Sequence, residues 1–222
     1  RRIAVSFAET LRAVGAKAVL TGNPVLPHIA TLDRSARRDE GITHFGLDPG
    51  RVTVIFFGGS LGARTLNRAA PEVARLWADR TDVQILHITG RSTEGQSPAP
   101  EGSAYHAVAY TDRMDLAYAA ADVAVCRGGA TTVAELTAVG LPSIIVPYPF
   151  HRDRQQERHG RVLERAGAAR VVADDVATPE RLRTVLEETL DDHTRAAMGA
   201  AARSLGAPDA AERLAAVVRS VA

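Results

Sequence analysis

Short apolar runs alternate with stretches of helical periodicity along almost the whole chain, and this alternation restricts the fold more than any other feature. The runs are Ile3–Ser6, Ala18–Leu20, Val52–Phe57, Val83–Ile88, Ala104–Ala109, Val123–Val125, Ser143–Val146 and Arg170–Val172. Helices are expected over Ala8–Val14, Ser35–Phe45, Ala63–Ala78, Met114–Ala119, Thr131–Val139, Arg154–Ala166, Pro179–Leu190, Thr194–Leu205 and Asp209–Val221. The later runs are near-continuous in Val, Ile and Leu, as strands covered on both faces must be. Strand–helix alternation of this kind means βαβ units. The expected class is α/β: a Rossmann-like parallel sheet with helices on both faces.

Composition narrows the function classes. At 222 residues the chain lies between one and two domains. With 45% hydrophobic and 24% charged residues it can bury a full core. A net charge of +1, with basic and acidic residues interspersed, gives no electrostatic case for nucleic acid. The single cysteine, Cys126, excludes an internal disulfide and reads as a core thiol at a strand end. No apolar stretch approaches the roughly 18 residues that a membrane span needs. The chain opens on Arg1 and is already strand-like from Ile3 to Phe7, so it is expected to begin partway through a longer protein. The turn TGNP at Thr21–Pro24 punctuates a weaker leading segment. The polar, Pro/Gly-rich Arg91–Gly102 reads as a mobile surface loop, and Asp209 as the N-cap of the last helix.

Two glycine turns carry most of the chemistry. Gly58-Gly59-Ser60-Leu61-Gly62-Ala63 follows one strand and opens a helix, so its amides can approach a phosphate and the helix N-terminus adds partial positive charge. It is neither a Walker loop nor a G-x-G-x-x-G fingerprint, and an ordinary tight turn explains a lone glycine-rich turn equally well. The second turn, Arg127-Gly128-Gly129-Ala130-Thr131-Thr132, opens the helix that carries Glu135. Thr131 and Thr132 fall in its first turn, where hydroxyls and free amides can hold an anion. Glu135 shares a face with Thr132 and leans back towards the mouth, where its carboxylate suits ribose hydroxyls. The plainer account is a Thr/Glu capping pair, but that leaves Gly128-Gly129 without a reason.

Downstream, a Pro147-Tyr148-Pro149 corner leads to Gln155 and Gln156, whose amides both donate and accept and so suit hexose hydroxyls. Alone, two such glutamines are usually just solvated. His151, Asp153 and His159 lack a metal-ligand pattern, so no metal is expected. His87 reads as a satisfied core histidine. Spacing supplies no Ser-His-Asp set and no paired catalytic carboxylates: the chain is rich in binding chemistry and shows no obvious catalytic base.

Taken in order, the motifs resemble the MurG family: Thr21–Pro24, Gly58–Arg64 with Asn67, Cys126–Glu135, Gly140-Leu141-Pro142, Pro147–Pro149 and Asp153-Arg154-Gln155-Gln156. That family transfers N-acetylglucosamine from its UDP derivative to lipid-linked muramoyl-pentapeptide in peptidoglycan synthesis, with inversion and without a bound metal. The resemblance implies the C-terminal, donor-binding half of a two-domain GT-B fold, with residues 1–25 as interdomain linker and leading strand and 26–222 as the donor domain. It implies that Gly58, Gly59, Ser60 and Gly62 face the diphosphate. Tyr110, Thr111 and Met114 would frame the uracil. Arg127, Gly129, Ala130, Thr131 and Thr132 would line the sugar-diphosphate, Glu135 would take the ribose, and Gln155 and Gln156 the N-acetylglucosamine.

UDP-N-acetylglucosamine enters this picture as substrate, with no cofactor. The acceptor, the catalytic base and the membrane-facing surface belong to an N-terminal domain that this sequence does not contain. The full-length protein would be cytoplasmic and peripheral on the inner face of the cell membrane. Two positions depart from the family pattern: Leu26 stands where an Arg is common, and His159 where an Asn is. The donor subunit of a split two-component transferase, a non-catalytic UDP-sugar binding module and a UDP-sugar epimerase are the alternatives.

Overall fold

The computed structural model describes residues 1–91 and 104–221. The chain opens with β1 (Ile3–Val5), α1 (Ala8–Val14) and β2 (Ala18–Leu20), followed by α2 (Pro27–Ala30) and α3 (Arg38–Phe45). Then come β3 (Val52–Phe57), α4 (Arg64–Leu76), β4 (Val83–Ile88), β5 (Tyr105–Val108), α5 (Met114–Ala120) and β6 (Val123–Cys126). The last part holds α6 (Ala130–Val139), β7 (Ser143–Ile145), α7 (Gln155–Arg165), β8 (Ala169–Val171), α8 (Pro179–Thr189), α9 (Asp192–Leu205) and α10 (Ala210–Arg219).

β1 and β2 pair in parallel as a small sheet of their own. The other six described strands form one parallel sheet in the order β5-β4-β3-β6-β7-β8. The chain therefore winds outward from β3 in one direction and, from β6, in the other. The junction of β3 and β6 is the topological switch point, where open α/β sheets bind ligands beyond the carboxyl ends of their strands. Register matters here: Phe57 lies opposite Cys126, so β3 and β6 end level and release Gly58 and Arg127 side by side.

The pleat sorts each strand between two cores. Val54 and Phe56 of β3 face one cluster, with Leu66, Val73 and Trp77 on the α4 side and Leu182 and Leu186 of α8. Ile55 and Phe57 face the other, with Tyr118 of α5, Val133 and Leu136 of α6 and Leu163 of α7. All four β3 side chains are buried, so the apolar run answers the double coverage. Cys126 is buried too, and burial pushes its thiol pKa up, as suits a core residue.

The strands agree with the sequence reading to within a residue at either end; three other features differ. The four-residue α2 was not expected, and α3 begins at Arg38 rather than Ser35. There Asp33 Oδ1 accepts from the Ser35 and Ala36 amides and the Ser35 hydroxyl, a turn that competes with helix. Asp209 precedes α10 but does not cap it; its carboxylate pairs with Arg213 at 2.7 Å. The loop expected at Arg91–Gly102 lies, from 92 on, outside the described residues.

Candidate functional site

At the switch point the two glycine turns face one another across a cleft of about 700 Å³. It is lined by Gly58, Gly59, Gly62, Arg127, Gly129, Thr132 and Gln156 from the expected set. Ser60 is exposed beside it, its hydroxyl unbonded among the described residues.

The glycines serve different purposes. Gly62 has φ +81° and its missing Cβ would lie 2.1 Å from the Thr89 carbonyl, so the turn after β3 is locked onto the end of β4. Gly59 has φ +89° with nothing within 4 Å of a Cβ, leaving its backbone open to the cleft. Gly128 is required by packing: a Cβ there would sit 2.5 Å from the Gln156 carbonyl. Gly129 would meet only the Thr132 hydroxyl, at 3.7 Å. One glycine of the pair is thus for α7, and the other for whatever enters the cleft.

α7 grips Gly128 from both sides. The Gly128 amide donates to Gln156 Oε1 at 3.2 Å, and the Tyr148 amide donates to the same oxygen at 2.9 Å. His159 Nδ1 meets the Gly128 carbonyl at 3.0 Å, which assigns the ring proton to Nδ1, and the ring stacks on Phe7 at 4.7 Å. Burial lowers the His159 pKa, favouring this neutral form. The departure at His159 therefore holds the β6–α6 turn rather than facing the cleft.

Arg127 is more heavily committed than expected. Its Nη1 donates to the carbonyls of Val146 and Pro147, both at 3.0 Å, and pairs with Asp174 Oδ1 at 2.5 Å. Asp174 also accepts from the Thr65 hydroxyl at 3.0 Å. This carboxylate, from the 3-10 turn Asp174–Val176 after β8, ties the openings of α4 and α6 together. It lines the cleft, and the sequence reading passed over it; its place just beyond a strand's carboxyl end was the available signal. Tyr148 and Phe150, their rings 5.5 Å apart edge to face, stand exposed on the rim.

The remaining expected residues lie off the cleft. Thr131 is exposed and Ala130 half-buried at the start of α6, and Gln155 starts α7 with its amide donating to Asp153 at 3.2 Å. Thr111 Oγ1 accepts from the Arg113 amide at 3.0 Å ahead of α5, and Met114 packs against the core cluster that contains Phe57 and Tyr118. Glu135 belongs to this α5 side: its Oε2 accepts from the buried Tyr118 hydroxyl at 2.7 Å. The capping account of Glu135 therefore fails. Burial raises its pKa, while the Tyr118 bond and nearby His28 pull the other way.

No side chain caps the N-terminus of α4 or α6, so their first amides remain available to an anion in the cleft. His87 is satisfied, as expected of a core histidine. Asn67 Nδ2 donates to the Thr89 carbonyl at 2.9 Å, which turns Asn67 Oδ1 towards His87 Nε2 at 3.1 Å, while Tyr105 Oη meets Nδ1 at 2.6 Å. Burial holds its pKa down at about 4, so the ring is neutral. No group of three or more metal-ligating side chains occurs among the described residues.

A doubly wound parallel sheet with open amides at its switch point defines a nucleotide-binding domain of the kind that forms half of a GT-B glycosyltransferase. Residues 53–214 match the glycosyltransferase family 28 C-terminal domain, and the chain belongs to that family. Its relatives include a Nocardioides protein named UDP-N-acetylglucosamine--N-acetylmuramyl-(pentapeptide) pyrophosphoryl-undecaprenol N-acetylglucosamine transferase. The two are 46% identical over 98% of this chain and 60% of that protein. The Clavibacter michiganensis protein of the same name is 45% identical over 98% and 58%. The chain thus spans somewhat more than half the length of these relatives. Among solved structures, MurG of Acinetobacter baumannii superposes with a TM-score of 0.73 at 21% identity, over 99% of this chain and 65% of that one, which supports the fold.

Proposed function

We propose that this chain is the donor-binding half of an inverting transferase that moves N-acetylglucosamine from UDP to a lipid-linked muramoyl-pentapeptide. The observation that carries the reading is the cleft between two glycine turns whose helices, α4 and α6, present uncapped amides. A diphosphate there meets amides and two partial positive charges, and as the bond to the sugar breaks the same donors stabilise the growing charge on UDP. From the cleft the nucleoside runs over α6 to its α5 side, where Glu135 accepts from ribose hydroxyls and the Thr111–Met114 segment borders the base. Gln155 and Gln156 read the hexose, Gln156 through its amide nitrogen because its oxygen already bridges Gly128 and Tyr148.

The reading requires no metal or cofactor. It assigns residues 26–222 to the donor domain and 1–25 to a linker and leading strand, and leaves acceptor and base to a partner domain that would bring the assembly to the inner membrane face. No helix among the described residues is long and apolar enough to cross a membrane. Calorimetric titration with UDP and with UDP-N-acetylglucosamine tests it. Saturable binding is expected, weakened in Glu135→Ala; unchanged affinity in that variant would remove the ribose assignment, and no binding of either ligand would remove the donor site.

A further inference from the structure

The edge of the sheet opposite the cleft holds a group of arginines that the donor site does not use. Arg34 reaches inward from the turn before α3. Its Nε donates to the Tyr118 carbonyl at 3.0 Å, its Nη1 to that of Gly140 at 3.2 Å, and its Nη2 to that of Ala121. It therefore satisfies carbonyls at the C-terminal ends of both α5 and α6. Beside it lies a cavity of about 430 Å³, lined also by Asp122, Gly140, Pro142, Asp192, Arg195, Gly199 and Arg203.

α9 gives this cavity its shape. Arg195, Gly199 and Arg203 recur at i, i+4 and i+8 and share one face, with the arginines about 12 Å apart along the axis. Gly199 leaves a gap between them; a Cβ there would lie 3.1 Å from the Gly140 carbonyl, a tight approach. The Arg203 guanidinium lies over Gly140, within 3.0 Å of where a Cβ would be, and makes no hydrogen bond or ion pair among the described residues. Arg195 pairs with Asp192 through Nη2 at 2.6 Å, while its Nη1 is buried with no hydrogen-bond partner among the described residues.

Among the neighbouring carboxylates only Asp192 pairs with one of these donors, and only through Arg195 Nη2. Asp122 accepts from both Nη atoms of Arg38, at 3.1 and 3.0 Å, and from the Thr53 amide at 2.8 Å. Asp33 is taken up by its own turn. Asp192 is 93% exposed and engages only Arg195. The buried, unpartnered Arg195 Nη1 and the free Arg203 fork are therefore donors awaiting an acceptor, with the charge of Arg34 behind them.

We infer that this cavity is a second anion site, taking a small multivalent oxyanion of the phosphate class between Arg195 and Arg203, separate from the donor cleft. Forked guanidinium groups match the oxygens of such a group, and a group with several charges can engage both arginines.

Pyrophosphate titrated into the chain at saturating UDP tests this, read by thermal unfolding and calorimetry. UDP fills the donor cleft, so a remaining pyrophosphate response reports the second site. The expected result is a UDP-independent response whose affinity falls at least about tenfold in Arg203→Ala and in Arg195→Ala. A response fully competed by UDP, or one unchanged in both variants, overturns the inference. UDP titration of the same variants should give unaltered affinity, which separates failure here from failure of the donor site; if UDP does not bind, pyrophosphate alone gives the readout in these two variants. Co-sedimentation with phosphatidylglycerol vesicles, against phosphatidylcholine, distinguishes the source: selective, arginine-dependent binding assigns the anion to a lipid headgroup, and its absence beside a pyrophosphate response assigns a soluble phosphate.

Discussion

The two edges of the sheet handle the ends of their helices in opposite ways. At the carboxyl edge of the strands, α4 and α6 point uncapped N-termini into a cleft, and Gly59 and Gly129 keep its walls clear of side chains. At the other edge, Arg34 fills the carbonyls that end α5 and α6, and Arg38 adds the Ala120 carbonyl at 3.1 Å. The carbonyls that end α5 and α6 are closed by side chains, whereas the amides that open α4 and α6 are left open at the switch point. α8 and α9 show the closed alternative at an N-terminus: their N-caps, Thr178 and Asp191, accept from amides in the first turn. Missing side-chain caps are common among the described helices, α1, α3, α7 and α10 included; what sets α4 and α6 apart is that their uncapped ends follow glycine turns that line one cleft.

The closed edge depends most on Arg34. Burial lowers its guanidinium pKa to about 10, yet it remains charged at neutral pH and holds three carbonyls. Arg34→Ala strands those carbonyls, and a loss of about 3 kcal/mol or more is expected in urea unfolding. The fraction that stays folded should bind UDP normally. A loss of less than about 1 kcal/mol would mean that the closed edge is not held by this side chain.

Within the cleft edge itself, α5 supplies a contrast. Its N-terminus is occupied by its own Asp115, which pairs with Arg113 at 3.0 Å and Arg37 at 2.7 Å, the carboxylate only 3% exposed. The Arg113 hydrogen bond, more than any other cause, holds the Asp115 pKa at about 2. A depressed carboxylate contributes stability that is complete above its unfolded pKa and lost as pH falls through the folded one. On the order of 2 kcal/mol should therefore disappear between about pH 4 and pH 2. Asp115→Asn should be less stable at neutral pH and lose most of that slope; an unchanged acid limb of the stability curve would remove this assignment.

The adjacent glycines Gly128 and Gly129 differ in kind at single-residue scale. Gly128→Ala drives a methyl against the Gln156 backbone, and a cost of about 1–3 kcal/mol is expected because that carbonyl belongs to α7 and cannot easily move. Gly129→Ala meets no such obstacle and should change stability by no more than about 0.5 kcal/mol. Its effect should fall on UDP, whose phosphates approach that backbone; equal affinity in Gly129→Ala and the unaltered chain would show that the ligand does not pass there.

Much of this contrast was legible in the sequence, and what was not has a common cause. β3 and β4 were readable because six consecutive residues in each answer to burial on both faces. The two glycine turns stood out because they follow β3 and β6 directly. Arg34 carried no local signal and Asp174 only its place beyond a strand end: Asp174 sits in the polar ADDVATP stretch, Arg34 in a charged turn, and their partners lie 47 and 84 or more residues away. The reading of Gly128-Gly129 as one phosphate feature merged two residues because packing against α7 depends on a helix that begins 27 positions after Gly128. Long-range contacts decide which of two glycines is structural, and spacing along the chain does not reveal them.

The smallest stability effect is expected at Glu135, and it separates binding from folding most cleanly. Burial raises this carboxyl's pKa, so in the folded chain its charged form is disfavoured relative to the unfolded one. By linkage such a group subtracts from stability once pH exceeds its unfolded pKa, and the deficit is complete above the folded pKa. Glu135→Gln keeps the size and a carbonyl acceptor for the Tyr118 hydroxyl while removing the charge, so thermal stability at neutral pH should be unchanged or higher. UDP affinity should fall, because a charged acceptor for the ribose hydroxyls has become neutral. In the unaltered chain the affinity should also weaken as pH drops through the raised Glu135 pKa, and the glutamine variant should lack that limb. A variant that loses stability and affinity together would place Glu135 among the residues that close the fold, and the open edge would then begin and end at the two glycine turns.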